Sequence, residues 1–208
     1  MKRQGRKAKL QRKAKTVLER RSEQVKYLSQ DQVAALFRAA TKRPVRDRLI
    51  LAFMYRLAMR TQEICLLPAK AVDLARNEIT IKGMKNGLTR TYTIPSDLRP
   101  LVKAYARTRD KSPYWFVGQR EGRLHRVRVF LIVKEIMRAA GIEGFGAHSL
   151  RHSAAVHSLD AGLGTDDVRD LCRHRRISST EVYSNLSTKR RANYLQTLQE
   201  SDAVVKVK

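Results

Sequence analysis

Seven side chains fall at spacings that suit chemistry on a phosphate. In AMRTQEIC, Arg60 and Glu63 stand one turn apart at the end of an apolar run that reads as a helix. GMKNGL puts Lys85 beside Asn86-Gly87, a turn signal between two strand-like runs. HSLRH sets His148 and Arg151 on one helix face. RHRRISSTEVY carries His174 nine residues ahead of Tyr183. Guanidinium is planar, always charged and bidentate toward phosphate oxygens. Imidazole takes or gives a proton near neutrality. A tyrosine hydroxyl, with an ordinary pKa of about 10, becomes a nucleophile only beside a base or in a strongly cationic site.

Taken singly, each of these residues has a plainer reading. Tyr183 is one of seven tyrosines, and only its spacing sets it apart. Arg60 alone would be a solvated cation at a helix end, Glu63 a surface charge, and Lys85 a hairpin lysine that aids solubility. His148 and His152 are four residues apart and, with Cys172 and His174, raise a zinc reading. No glutamate lies between the two histidines, and Arg151 would set a cation beside the metal. No metal and no other cofactor is therefore expected. His152 and His157 read as packing or hydrogen-bonding residues of their helix, His125 as a surface residue, and Cys172 as small buried packing rather than a thiol nucleophile.

The elements that must position these groups are legible in the pattern. Ser29 followed by Gln32 has the spacing of a capping box, and Val33, Leu36, Phe37 and Ala40 recur at helical period. A second helix is predicted after Pro44, through RDRLILAFMYRLAM. EITIK and RTYTI alternate like the strands of a hairpin. Ser96 is the expected cap of a helix carrying Leu98, Leu101, Val102 and Tyr105. YWFV reads as a short buried strand. Helices are predicted over 125–140 and over 148–161, the latter stopped by Gly162. Short ones follow Thr165 and precede Tyr183. The sum is a mostly α fold with a small antiparallel β-sheet (α+β), with no internal repeat.

Charge points to the partner. The chain has 208 residues and a formal net charge of +25, from 44 Lys+Arg against 19 Asp+Glu. Such a surplus repels itself in a compact fold, and an anionic partner relieves it. Nucleic acid fits best. Residues 1–26 hold eleven basic side chains against Glu19 and Glu23, too few apolar ones to pack. They read as a flexible arm, in which Lys2, Arg3, Arg6, Lys7, Lys9, Arg12, Lys13 and Lys15 would contact phosphates. No apolar run is long enough to span a bilayer. The two cysteines, Cys65 and Cys172, have no metal or redox spacing, and a reducing cytoplasm, at the nucleoid, is the expected location.

The ordered set of Arg60, Lys85, His148, Arg151, His174 and Tyr183 closely resembles the signature of the tyrosine recombinase family, also called phage integrases. HSLRHS and HRRISSTEVY match that family's HxLRHT and HssixTtxxY segments over 27–186. EIC after the first arginine and MKNG resemble the short fimbrial phase-variation members. Larger members carry a further N-terminal core-binding domain, with no counterpart expected here. One departure is Arg173, where the family usually has glycine just before the second histidine. Another is a longer hairpin, which leaves Lys82 open as an alternative to Lys85.

The resemblance implies a division into a basic DNA-binding arm (1–26), a catalytic domain (27–188) and a C-terminal tail (189–208). The tail's Tyr194, Leu195 and Leu198 would dock on a neighbouring subunit. It also implies attack by Tyr183 on a DNA phosphodiester, giving a 3′-phosphotyrosyl enzyme and a free 5′-hydroxyl. Arg60 and Arg151 would stabilise the transition state, with Glu63 orienting Arg60. His148 would act as general base and Lys85 as the acid for the leaving oxygen. His174 would donate to a non-bridging oxygen. Partners implied are double-stranded DNA, a homotetramer in the synaptic complex and accessory DNA-bending proteins. Two other readings use the same features: a DNA-binding regulator that does not cut, and a type IB topoisomerase.

Overall fold

The computed structural model describes residues 25–84, 87–118, 122–184 and 186–187. The expected arm up to residue 24, Lys85, Asn86 and the tail from residue 188 lie outside the described residues. The first helix, α1 (Gln30–Ala40), starts at the capping box read from the sequence. Ser29 Oγ accepts from the Gln32 amide, and Gln32 Oε1 accepts from the Ser29 amide. Val33, Leu36 and Ala40 are buried, with Phe37 packed beside them.

The centre of the molecule is α2 (Val45–Arg56), in which Leu49 to Met54 are all buried. A helix buried on every side needs neighbours on every side, and α1, α3, α4, α5 and α6 supply them. The helix stops earlier than the apolar run predicts. Leu57 caps it, and Ala58 takes a left-handed φ of 45°. Non-glycine residues pay for that conformation unless their surroundings hold them there. The chain then starts again as α3 (Thr61–Leu66), so Arg60 is the N-cap of a new helix rather than the last residue of an old one.

A three-stranded antiparallel sheet follows, with order β1 (Val72–Asp73), β2 (Glu78–Ile81), β3 (Arg90–Thr93). The β2–β3 pair is the expected hairpin, and Ile79 opposite Tyr92 fixes its register. Ile79 and Ile81 face the core, and the hydroxyls of Thr80 and Thr91 bond on the other face. The connection spans residues 82–89, so Gly87 serves close approach rather than a two-residue turn. A Cβ there would lie 2.9 Å from the carbonyl oxygens of Arg173 and Met84.

The helix α4 (Arg99–Thr108) is capped by Leu98, with proline in its first turn, not by Ser96. A proline suits that place because its missing amide would have no partner there. In YWFV, Trp115, Phe116 and Val117 are buried, but the segment does not form a ladder; Tyr114 and Val117 make single bridges to Pro68 and Arg123. The Arg109 guanidinium holds the carbonyls of Ser112, Tyr114 and Trp115 instead and covers the Trp115 ring.

Three of the last four helices match their expected positions: α5 (Arg126–Ala139), α6 (Ala147–Asp160) and α7 (Thr165–Leu171). Gly162 at φ 96° ends α6. The last, α8 (Ser178–Ser184), contains Tyr183 instead of preceding it. Most apolar side chains from Leu28 to Leu150 form one cluster. A second, smaller cluster joins Ala58 to Ala154, Ala155, Val156, Leu159, Val168, Cys172 and Tyr183.

Candidate active site

An open pocket of about 1210 Å³ lies between the start of α3, the hairpin leg, the start of α5, the start of α6 and the turn before α8. Arg60, His148, Arg173 and His174 line it, with Arg126, Arg175 and Arg176 adding charge. Residues separated by more than a hundred positions thus converge on one wall. Lys85 lies outside the described residues, but its neighbours Met84 and Gly87 are on this wall.

The arginines are fixed by a buried carboxylate and by two carbonyls that the stop of α2 leaves free. Glu63 is 3% exposed. It bonds the Arg60 amide at 2.8 Å and the Arg60 guanidinium at 2.9 Å. Arg173, fully buried, donates to Glu63 at 2.7 Å and to the carbonyls of Leu57 and Ala58 at 3.0 Å each. Arg151 donates to the carbonyls of Ala58 and Cys172 and lies 3.9 Å from Glu63. Carbonyls at a helix end have no intrahelical partner and are natural acceptors for such groups. Burial by itself would raise the Glu63 pKa, but Arg173, Arg60 and Arg151 hold it below the usual carboxylate range. Burial likewise opposes the charge on Arg173, and Glu63 more than restores it.

Arg173 is the residue that sequence reasoning underrated. Its φ of 54° lies in the left-handed region, which explains why the family pattern has glycine here. The side chain crosses back under the site and covers the Tyr92 ring at 5.7 Å. The departure from glycine was the available signal, but its partner could not be read from spacing, since Glu63 is 110 residues away.

The tyrosine side of the site is different in kind. Tyr183 is 4% exposed and lies behind the pocket wall. Its ring stacks on His174, with centroids 6.3 Å apart, and His174 in turn bonds Thr180 at 2.9 Å. The imidazole on the Tyr183 hydroxyl is that of His152, at 2.9 Å, and His148 stacks on His152. Burial pushes the Tyr183 hydroxyl up to about 12, against the cationic pull of Arg151 and Arg60. Burial, with the nearby arginines, lowers His174 to about 3 and lowers His148. Burial, with His148 and Arg151, lowers His152 to about 4.

His157 bonds Tyr55, as a hydrogen-bonding residue of α6 would. His125 is exposed and caps α5. Cys65 and Cys172 are both buried, and burial raises both thiols, Cys65 to about 11. Among the described residues, no three His, Cys, Asp or Glu side chains are grouped to hold a metal ion, and no helix is long and apolar enough to cross a membrane.

Residues 26–190 match the model of the phage integrase family, and the chain belongs to that family. It is similar to tyrosine recombinase XerA of Pyrococcus furiosus, 35% identical over 183 residues, 83% of this chain and 64% of that protein. Tyrosine recombinase XerC of Roseiflexus castenholzii is 33% identical, with 72% of this chain and 50% of that protein covered. The chain thus spans between about half and two thirds of the length of these relatives. In fold it matches the crystal structure of XerA recombinase with a TM-score of 0.72 at 24% identity, covering 82% of this chain and 64% of that one. It matches XerH recombinase, bound to its difH substrate in a post-cleavage complex, with the same TM-score at 21% identity, covering 85% and 54%.

Proposed function

We propose that the protein is a site-specific DNA recombinase that cuts and rejoins double-stranded DNA through a 3′-phosphotyrosyl intermediate. The observation that carries this reading is the convergence of Arg60, His148 and His174 on one pocket wall with Tyr183 directly behind it. In the reaction, Tyr183 Oη forms a bond to phosphorus and the bond to the 5′-oxygen breaks. Arg60, Arg151 and His174 stabilise the extra negative charge of the phosphorane. Proton removal from Tyr183 falls to the imidazoles of α6. Lys85, with Lys82 as the alternative, protonates the leaving 5′-oxygen. Phosphodiester energy is kept in the phosphotyrosyl bond, so no nucleotide cofactor is consumed, and side chains supply the cations a metal would otherwise bring.

The finer reading follows the same division of the chain. Residues 1–26 would track the phosphate backbone, which carries little sequence information. Four subunits would act on two DNA sites, because exchange of two duplexes needs four cleavages and each subunit has one nucleophile. The tail from Lys189, with Tyr194, Leu195 and Leu198, would dock between subunits. Accessory DNA-bending proteins and a cytoplasmic, nucleoid-associated location fit this role.

The test is covalent capture. The parent protein is incubated with a library of nicked duplexes, and adducts are recovered under denaturing conditions. We expect an adduct with the parent and none with Tyr183→Phe, while DNA binding persists. An adduct that survives in Tyr183→Phe overturns the assignment. Absence of any adduct with the parent favours the non-cutting regulator. Relaxation of supercoils without joining of two sites favours a topoisomerase.

A further inference from the structure

The reading above needs a group to take the proton from Tyr183, and the residue spacing nominates His148. The contacts place a different imidazole on the reacting oxygen. We propose that His152 is a further catalytic residue: its Nδ1 accepts the Tyr183 hydroxyl proton as the phenol oxygen bonds to phosphorus. This inference rests on the recombinase reading and assigns one step within it.

Two observations carry it. First, His152 Nδ1 lies 2.9 Å from Tyr183 Oη, a distance at which a proton passes directly. Second, the Tyr183 ring stacks on His174, which lines the pocket, and its centroid lies 5.6 Å from that of His152, so the phenol oxygen and its acceptor are held together just behind the pocket wall. With Nδ1 of His152 unprotonated, the phenol donates and the imidazole accepts.

Protonation state agrees with the geometry. His152 is held neutral at pH 7 first by burial, with His148 and Arg151 of its own helix acting in the same direction. The titratable group facing it from α8 is Tyr183. A neutral imidazole is the form that accepts a proton, and the anionic phosphate would offset the neighbouring positive charge just as the proton arrives. The step balances. The Oη–H bond breaks as Oη–P forms, and His152 becomes imidazolium. The P–O5′ bond breaks, and the 5′-oxygen takes its proton from the hairpin lysine. On religation, His152 returns the proton to the phenol.

The experiment uses the full chain and a nicked duplex recovered by covalent capture on the parent protein. His152→Asn places an amide oxygen near the position of Nδ1, which keeps an acceptor for Tyr183 but cannot take a proton. We expect single-turnover cleavage at pH 7 to fall by roughly 10²–10⁴-fold, the usual range for loss of a general base. The remaining rate should climb with pH as hydroxide replaces the base, and DNA affinity should be unchanged. In His152→Ala, added imidazole should restore part of the rate. Cleavage by His152→Asn within about tenfold of the parent, or faster than it, overturns the proposal; so does a loss of cleavage and DNA binding together. If the parent forms no adduct at all, the recombinase reading fails first, and that failure is separate.

Discussion

The two walls of the site are built by opposite means. The arginine wall is frozen: Arg173 and Arg151 are held by backbone carbonyls at the stop of α2 and, with Arg60, surround Glu63. The tyrosine wall belongs to the smaller cluster, in which Ala58, Ala154, Ala155 and Cys172 stand beside Val156, Leu159, Val168 and Tyr183. With less apolar surface buried than in the main cluster, it costs less to open locally. The contrast has a chemical logic. Charge that stabilises a transition state must be in place beforehand, because reorganising it would consume the benefit. Tyr183, proposed as the nucleophile, instead sits behind the pocket wall, and α8 carries it in the smaller cluster.

The contrast is open to attack from several sides. The largest effect is expected at Glu63→Gln, which leaves buried arginines without their anion. Removing one partner of a buried pair typically costs about 3–5 kcal/mol. Thermal melting should show this loss, and a melting temperature close to the parent's would mean that the carbonyls alone hold the cluster. Next come Arg60 and Arg151, the two arginines proposed to stabilise the transition state. Arg60→Ala should lower cleavage roughly a hundredfold or more with little change in melting, since its side chain is a quarter exposed. Arg151→Ala should lower cleavage as far and melting as well, because Arg151 is 3% exposed and tied to two carbonyls. Equal melting for the two variants would erase the distinction between them.

A further expected effect is a pH dependence that separates the walls. His152 and His174 have folded pKa values of about 4 and about 3, below the unfolded value near 6.5. Between those limits the unfolded chain binds more protons than the folded one, so stability is full above pH 6.5 and falls as the pH drops toward 4. Glu63, also lowered, contributes stability above its unfolded pKa near 4.3 and loses it only below that. Melting followed downward in pH should therefore decline first through the histidines and only later through the carboxylate. His152→Asn should flatten part of the first decline. A parent curve level down to pH 4.5 would show that the imidazoles are not held neutral by the fold.

How legible all this was in the sequence depended on the range of each interaction. The Ser29 capping box, α5 and α6 were readable because their signals lie within a few residues. The stop of α2 was not, because LILAFMYRLAM continues its apolar run through Ala58, and the left-handed turn there is paid for by arginines 93 and 115 residues away. YWFV has strand-like residues, but tertiary contacts with Leu67 and Arg109 satisfy its backbone. His148 and His152 stood out as a pair at i, i+4. Which of them meets Tyr183 depends on how α8 packs on α6, and no local pattern encodes that.

The placement of one aromatic ring determines what a common unfolding experiment on this protein would see. The chain has a single tryptophan, Trp115, and it sits in the large cluster under Arg109. Its emission therefore reports the melting of the main body and is blind to α8. A denaturant titration read by fluorescence would return one clean sigmoid even if the segment bearing Tyr183 had already detached. Amide exchange along 165–184 is the observable that would separate the two events.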